Sequence, residues 1–349
     1  MSPRARNIDA RLHGVLLVDK PAAHTSHDVV ARVRRAAGYV RCGHAGTLDP
    51  MATGVLPVLL GDATRISEQL MNHDKEYRFT LRFGQTTDTM DAEGQTLEER
   101  PVPEMSGDRI RELMATFMGP QQQTAPMYSA VKIDGQPLHR AARRGQEVER
   151  PLRPVLIHDF ELEDWTPPFL TARVHCSKGT YVRVLAHDLG QAAGCGAHVT
   201  ALRRIRSGEF RVERALPLDA VLALTPDQLS AHLIPLREAL ASLTAVEITS
   251  EQAHGVLCGQ DLRDLVVADA PAVDAPVVDA PVVDPVGAAV EDESAAVAAP
   301  IVLTDSLGRA LALAVRQGTN WHPVRVFPGS FEKTTCNSPS FHQNPVTGG

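Results

Sequence analysis

The sequence predicts an α+β protein in two parts, a large domain of mixed helices and strands over residues 1–240 and a small β-rich domain over 241–330. Three observations carry this. Two runs alternate apolar and polar residues with the period of a half-buried strand, EYRFTLRFG and the stretch from Leu170 to Cys176. Three segments repeat apolar residues at helical spacing behind capping residues. Strands do not alternate regularly with crossover helices, which argues against a doubly wound parallel sheet.

In chain order, the first apolar run, GVLLV, is a short strand. Thr25 or Ser26 then caps a helix with Val29, Val30, Val33 and Ala37 on one face, ended by Gly38. In EYRFTLRFG, Tyr77, Phe79, Leu81 and Phe83 share the buried face while Arg78, Thr80 and Arg82 point away. Asp108 is expected to cap a helix burying Ile110, Leu113, Met114 and Phe117, stopped by Gly119. The strand Leu170, Ala172, Val174, Cys176 runs through Ser-Lys-Gly into a helix capped by Thr180, with Val182, Leu185, Ala186 and Leu189 inward and Gly190 closing it.

Residues 244–267 and 300–327 look like short strands broken by Gly and Asn turns. Between them, 268–300 repeats DAPAV-DAPVV-DAPVV. Proline at every fifth position stops helices and ladders and small side chains give little to bury, so this reads as a disordered insertion. The tail 331–349 has no period and is expected to be disordered.

Taken as a sum, the formal charge of −7 disfavours nucleic acid, but its distribution matters more. Seven of the 42 acidic residues lie between Asp269 and Glu293, where there is no Lys or Arg, which leaves 35 against 35 basic residues elsewhere. Arg32, Arg34, Arg35 and Arg41, or Arg203, Arg204 and Arg206, can then form local basic faces, or be ordinary solvated arginines. With no signal-like or membrane-length apolar segment, and five scattered cysteines lacking a C-x-x-C pair, the expectation is a cytoplasmic protein without disulfides or a zinc ribbon.

The least ordinary stretch is RCGHAGTLDPMATGVLPVLLGDATR. Gly43, Gly46 and Gly54 surround a lone carboxylate, Asp49, whose turn is pinned by Pro50. Taken alone this is also the composition of an ordinary turn. In KGTYVR, Lys178, Arg183 and the free N–H groups of a helix start form a concentrated anion-binding patch. If Arg183 pairs with Asp49, it opposes the desolvation that raises a buried carboxyl and keeps the group anionic, suited to nucleophilic work. A phosphate-binding helix start or a structural ion pair fits the same residues.

The segments GVLLVDKPAAHTSHDVV, GHAGTLDPMATGVLPV, KEYRFTLRFGQTTDTMDAEG, APMYSAVKIDG, SKGTYVRVLAHDLG and GAHVTALRRIRSGEF occur here in the order found in TruB-type tRNA pseudouridine-55 synthases. The chain resembles that family over about residues 10–240, and six motifs in register make a specific signal. The resemblance implies a pseudouridine-synthase fold, a mixed β-sheet core with flanking helices, followed by a small C-terminal PUA-like RNA-binding domain interrupted by the acidic insertion. It implies isomerisation of a uridine at position 55, in the T-arm loop of tRNA, with no cofactor, no metal, no membrane, and no obligatory protein partner or guide RNA. By the same resemblance Asp49 is the nucleophile, Arg183 its partner, Tyr77 the aromatic that stacks on the target base, and Tyr181 and Leu202 pocket residues. By the resemblance, too, His44 fills the gap left by the flipped nucleotide, and Lys20 matches a residue near the active site. Residues 121–153 resemble the insertion that closes over the RNA loop, although His139 and Arg140 stand where Tyr and an acidic or polar residue are expected.

Other readings fit less. Asp88, Asp91 and Glu93 lack calcium-loop spacing and accompanying histidines, so they read as a solvated turn rather than a metal site of an RNA hydrolase. His24, His27, Cys42 and His44 read as capping and surface residues rather than zinc ligands. No G-x-G-x-x-G or phosphate-loop motif points to a nucleotide cofactor. A catalytically silent tRNA-binding or tRNA-folding module and a guide-RNA-dependent relative remain as alternatives.

Overall fold

The fold is built on the run GVLLVDK, which forms the strand β1 (Gly14–Lys20), buried along most of its length. The structure is a computed structural model that describes residues 12–129, 132, 133, 136, 137, 148–263, 265, 267 and 299–330. The chain divides into two compact units, Leu12–Ile234 and the residues from Pro235 onward. Residues 331–349 and nearly all of the acidic insertion 268–300 lie outside the described residues, as do 130, 131, 134, 135 and 138–147 of the expected closing segment.

In the first unit, β1 is followed by β2 (Cys42–His44), β3 (Thr53–Leu60), β4 (Lys75–Phe83), β5 (Gln85–Thr87), β6 (Thr96–Glu99) and β7 (Gly119–Thr124). Then come the short β8 (Lys132–Ile133) and β9 (Gln136–Pro137), the long β10 (Leu152–Thr166), β11 (Phe169–Cys176), β12 (Ala197–Ser207), β13 (Phe210–Arg211) and β14 (Leu216–Pro217). Ten of them make one sheet in the order β14-β1-β3-β12-β4-β11-β10-β7, with β2 paired to β3 and β13 to β12. The sheet is mixed, since β3 pairs with β12 and β1 with β14 in parallel while the other neighbours run antiparallel. This is the α+β core that the sequence predicts.

Alternation fixes which face is inside. On β4, Phe79, Leu81 and Phe83 are buried, and on β11 Leu170, Ala172, Val174 and Cys176 are buried with them. Against that face pack the helices Ser26–Ala36, Gly107–Ala115 and Val182–Ala192, which bring Val29, Val33, Ile110, Leu113, Leu185 and Leu189 into one core. Each such aliphatic side chain contributes roughly 1.5–3 kcal/mol of transfer free energy when fully buried.

Helix ends differ in places from the sequence reading. Thr25 caps the first helix, accepting from Asp28 N–H while the Asp28 carboxylate accepts from Thr25 N–H, a reciprocal capping box. The second helix is capped by Ser106 rather than Asp108, because Ser106 Oγ reaches Arg109 N–H and Asp108 sits in the first turn. Thr180 does not cap the third. Its hydroxyl donates back to Ser177 O at 3.0 Å, and the orphan N–H of Tyr181 is taken by Gln123 Oε1 from β7 at 2.9 Å. Gly190 does not close that helix either; it lies inside it, where a Cβ would meet Ala197 N at 2.2 Å, so glycine is needed for the close approach of helix to strand.

The second unit has the sheet order β15 (Ala245–Glu247), β16 (Ile301–Thr304), β17 (Ala310–Gln317), β18 (Asn320–Val326). Its core gathers Val256, Leu262, Leu303, Leu311 and Trp321. The stretch read as strands before the insertion instead holds a helix, Ser250–Leu257, started by a capping box of Thr249 and Gln252. Among the described residues no helix is long and apolar enough to cross a membrane.

Candidate active site

The Gly-rich segment forms a loop between β2 and β3 that is held from beneath. Gly54 has φ +106°, and a Cβ there would meet Arg204 O at 2.2 Å, so the chain can approach β12 this closely only as glycine. Arg204 is itself buried and donates to Val55 O at 2.9 Å, Gly46 O at 3.2 Å and Thr47 O at 3.5 Å. Ser26 Oγ accepts from Leu48 N–H at 2.8 Å, and Ala52 N–H closes the turn on Asp49 O at 3.1 Å.

Lys20 completes the clamp. Fully buried, it donates from Nζ to Pro21 O at 2.9 Å, His24 O at 2.6 Å and Pro50 O at 3.1 Å, which ties the end of β1 to the Asp-Pro turn. Burial lowers its pKa to about 8, against the pull of Asp49.

Arg183, in the first turn of the helix Val182–Ala192, meets Asp49 with two nitrogens, Nε at 2.8 Å from Oδ2 and Nη2 at 3.0 Å from Oδ1. The same guanidinium donates to Thr89 O and Tyr128 O, both at 2.9 Å, and lies 3.3 Å from Asp91 Oδ2. Side-chain exposure separates the two carboxylates: Asp49 keeps 31% and Asp91 only 5%, while Arg183 has 3%. Asp49 is therefore the one that faces an incoming molecule. Burial pushes its pKa up and Asp91 adds to that, while Arg183 and Lys20 pull it back; the net direction is upward.

Asp91 overturns the expectation of a solvated turn. It is buried, its Oδ1 accepts from Thr89 Oγ1 at 2.5 Å and Glu93 N–H at 3.1 Å, and its second oxygen faces Arg183. A buried carboxylate needs a cation and hydrogen bonds, and here it has both.

Asp49 and Arg183 open into a pocket of about 360 Å³ whose walls include Tyr77, Tyr181, Leu202, Lys75 and Arg204. Tyr77 stands half-buried on β4 opposite Arg204 on β12, and burial raises the pKa of its phenol. Tyr181 is half-buried at the helix start and Leu202 is buried on β12. Lys75 is tied by its ammonium to Met71 O and His73 O. Lys20 and His44 do not line this pocket. His44 lies half-buried on β2, where Nδ1 makes no hydrogen bond to any described residue and burial lowers the ring's pKa.

Two expected basic patches are altered. Arg203 is held by Asp19 at 3.0 and 2.7 Å, Arg206 by Glu76 at 2.9 Å, and Arg204 is inside, so this trio is not a free basic face. Lys178 donates to Asn72 Oδ1 at 3.0 Å, and with Arg183 turned inward the helix-start patch is dispersed. Arg32, Arg34, Arg35 and Arg41 are all exposed.

The description "TruB family pseudouridylate synthase (N terminal domain)" matches residues 34–182, and "tRNA pseudouridylate synthase B C-terminal domain" matches 183–241. A protein named tRNA pseudouridine synthase B from Opitutus terrae is 53% identical over 232 residues, which are 66% of this chain and 96% of that one. The chain belongs to the TruB pseudouridylate synthase family. The protein of the same name from Syntrophotalea carbinolica is 46% identical over 240 residues, 69% of this chain and 78% of that one. Among solved structures, a chain of a Cbf5-Nop10-Gar1 complex superposes with a TM-score of 0.65 at 24% identity, covering 93% of this chain and 88% of that one, a likeness of fold.

The two matched TruB regions contain Asp49, Tyr77, Asp91, Tyr181, Arg183 and Leu202, whereas Lys20 precedes them. The sequence reading assigned Asp91 to a solvated turn and Arg204 to a basic face, where both are buried, and missed Gln123. For Arg204 a signal existed: two residues beyond Leu202 on one strand, it shares the inward face by simple alternation.

Proposed function

We propose that this TruB-family chain is an isomerase that converts uridine to pseudouridine in the T-arm loop of tRNA, at position 55, acting without guide RNA or a protein partner. The observation that carries the reading is the half-exposed Asp49 carboxylate, gripped by a buried arginine at the wall of a pocket floored by an aromatic ring.

The target nucleotide turns out of its loop and its uracil enters the pocket between Tyr77, Tyr181 and Leu202. Unstacking costs a few kcal/mol, and stacking on the Tyr77 ring returns roughly 1–3 kcal/mol. His44, on β2, takes the vacated place in the RNA stack. Asp49 acts on the ribose, by attack at C1′ or by elimination across the sugar, so that the bond from C1′ to the base nitrogen breaks. The base rotates and C5 bonds to C1′; C5 gives up its hydrogen as a proton and the freed ring nitrogen takes one up, so the reaction balances as an isomerisation without redox change. Arg183 keeps Asp49 oriented and favours its charged form. Lys20 has a positioning role through Pro50 O. The exposed arginines 32, 34, 35 and 41 suit phosphate contacts that position the RNA without reading sequence.

The test is to incubate the purified chain with an unmodified tRNA transcript and no other macromolecule, then map pseudouridine along it. Product confined to the T-arm uridine is expected. Tight tRNA binding without product would instead favour the silent RNA-folding module, and product only on addition of a guide RNA would favour the guided relative.

A further inference from the structure

On the outer face of the same sheet, away from the apolar core, three side chains from three segments converge. His175 lies on β11, where its neighbours Val174 and Cys176 face the core and it therefore points the other way. Pairing of β10 with β11 runs Ile157 to Cys176 and then Asp159 to His175, so His158 is the extra residue of a β-bulge. Bulges re-aim a side chain, and this one brings the His158 ring to 4.6 Å, centroid to centroid, from the ring of His175. Asp74, just before β4, reaches both: its Oδ2 is 3.0 Å from His158 Nε2 and 3.8 Å from His175 Nε2.

We propose that Asp74, His158 and His175 form a binding site for a divalent transition metal of the zinc class. Among the described residues this is the one group of three or more His, Cys, Asp or Glu side chains whose ligand atoms converge, all lying within 4.8 Å of one another. Zinc bonds to imidazole nitrogen and carboxylate oxygen at about 2.0–2.2 Å, which in a tetrahedron separates ligand atoms by about 3.4 Å. The observed 3.0 and 3.8 Å bracket that value. His175 Nε2 is shielded from solvent and makes no hydrogen bond, which leaves a ligand atom of the right type without another task. Two nearby arginines, Arg173 and Arg206, are matched by two carboxylates, Glu161 and Glu76, which offsets part of their repulsion of a cation. Two imidazoles and one carboxylate leave positions open for water. A histidine that binds through Nε2 carries its remaining ring hydrogen on Nδ1.

The site would pin the start of β4 one residue from Lys75, which lines the pocket, so its expected effect is on stability rather than chemistry. The test uses the full chain freed of metal with a chelator, titrated with Zn(II) against a chromophoric chelator, while melting temperature is followed in parallel. Wild type should bind one equivalent that raises Tm, and His158→Gln and His175→Gln should each weaken that equivalent at least tenfold while melting like metal-free wild type. Equal zinc affinity in wild type and a His158→Gln/His175→Gln double variant would overturn the proposal, as would wild type that binds no equivalent.

Discussion

Arg183 holds Asp49 through two nitrogens at 2.8 and 3.0 Å while a second carboxylate, Asp91, lies 3.3 Å from the same guanidinium. One cation between two anions sets the position of the half-exposed carboxylate and, together with burial, its ionisation. Asp91 pushes the pKa of Asp49 up, and Arg183 opposes it.

Asp91→Asn should therefore lower the pKa of Asp49. If ionised Asp49 is required, turnover falls as pH drops through that pKa, so the acid limb of the pH profile moves to lower pH in the variant. A single-turnover pH series on tRNA reads this directly; an acid limb that stays in place or moves up would show that Asp91 does not tune Asp49.

Arg183→Lys keeps one charge but loses the paired contact and the bonds to Thr89 O and Tyr128 O. A lysine cannot make the paired contact, and a misplacement of about 1 Å can cost roughly 100-fold in rate, so a loss of turnover of about 100-fold is expected with the acid limb shifted upward. Thermal denaturation alongside the rate separates misplacement of Asp49 from loss of fold.

How far this site is legible in the sequence depends on where each residue's partners lie. Asp49 stands out because glycines and a proline surround it, and Arg183 because a helix start follows a strand with the same local signals. Asp91 does not, since its burial depends on an arginine 92 positions further on. The fold divides the same way. Alternation at Phe79 and Leu81 places β4 correctly, whereas the end of one helix depends on Gln123 from another strand, and Asp108 loses its expected cap to a serine two residues earlier. The helix Ser250–Leu257 was available from Thr249 and Gln252, but glycines within and after it read as turns.

Lys20 gives a stability test with a definite sign. Its folded pKa of about 8 lies below the ordinary 10.5, so between those values the folded state binds fewer protons and the lysine's net contribution to stability rises with pH. Lys20→Met, which leaves three carbonyls without their donor, should cost about 1–3 kcal/mol near neutrality. Denaturant melts from pH 7.5 to 10 should show that gap widening; a narrowing gap would contradict the assigned burial effect.

Gly54→Ala would place a Cβ 2.2 Å from Arg204 O at a φ of +106°. Strain of this kind costs about 1–3 kcal/mol before the clash is counted, so a stability loss beyond about 2 kcal/mol is expected, with turnover falling because the Asp49 loop shifts. Equilibrium denaturation beside activity checks both.

Tyr77→Phe should retain most tRNA affinity, while Tyr77→Ala should lose roughly 1–3 kcal/mol of base stacking. Single-turnover rates against tRNA concentration distinguish the two; equal behaviour of Phe and Ala would remove the ring from the account.

The central claim, that the carboxylate of Asp49 performs the isomerisation, is tested most directly by release of tritium from tRNA labelled at C5 of uridine, wild type beside Asp49→Asn, without metal or guide RNA. C5 must give up its hydrogen when it bonds to C1′. Stoichiometric release by wild type and none by the variant, with tRNA binding retained, is the predicted result. Release by Asp49→Asn at a rate near that of wild type would contradict it.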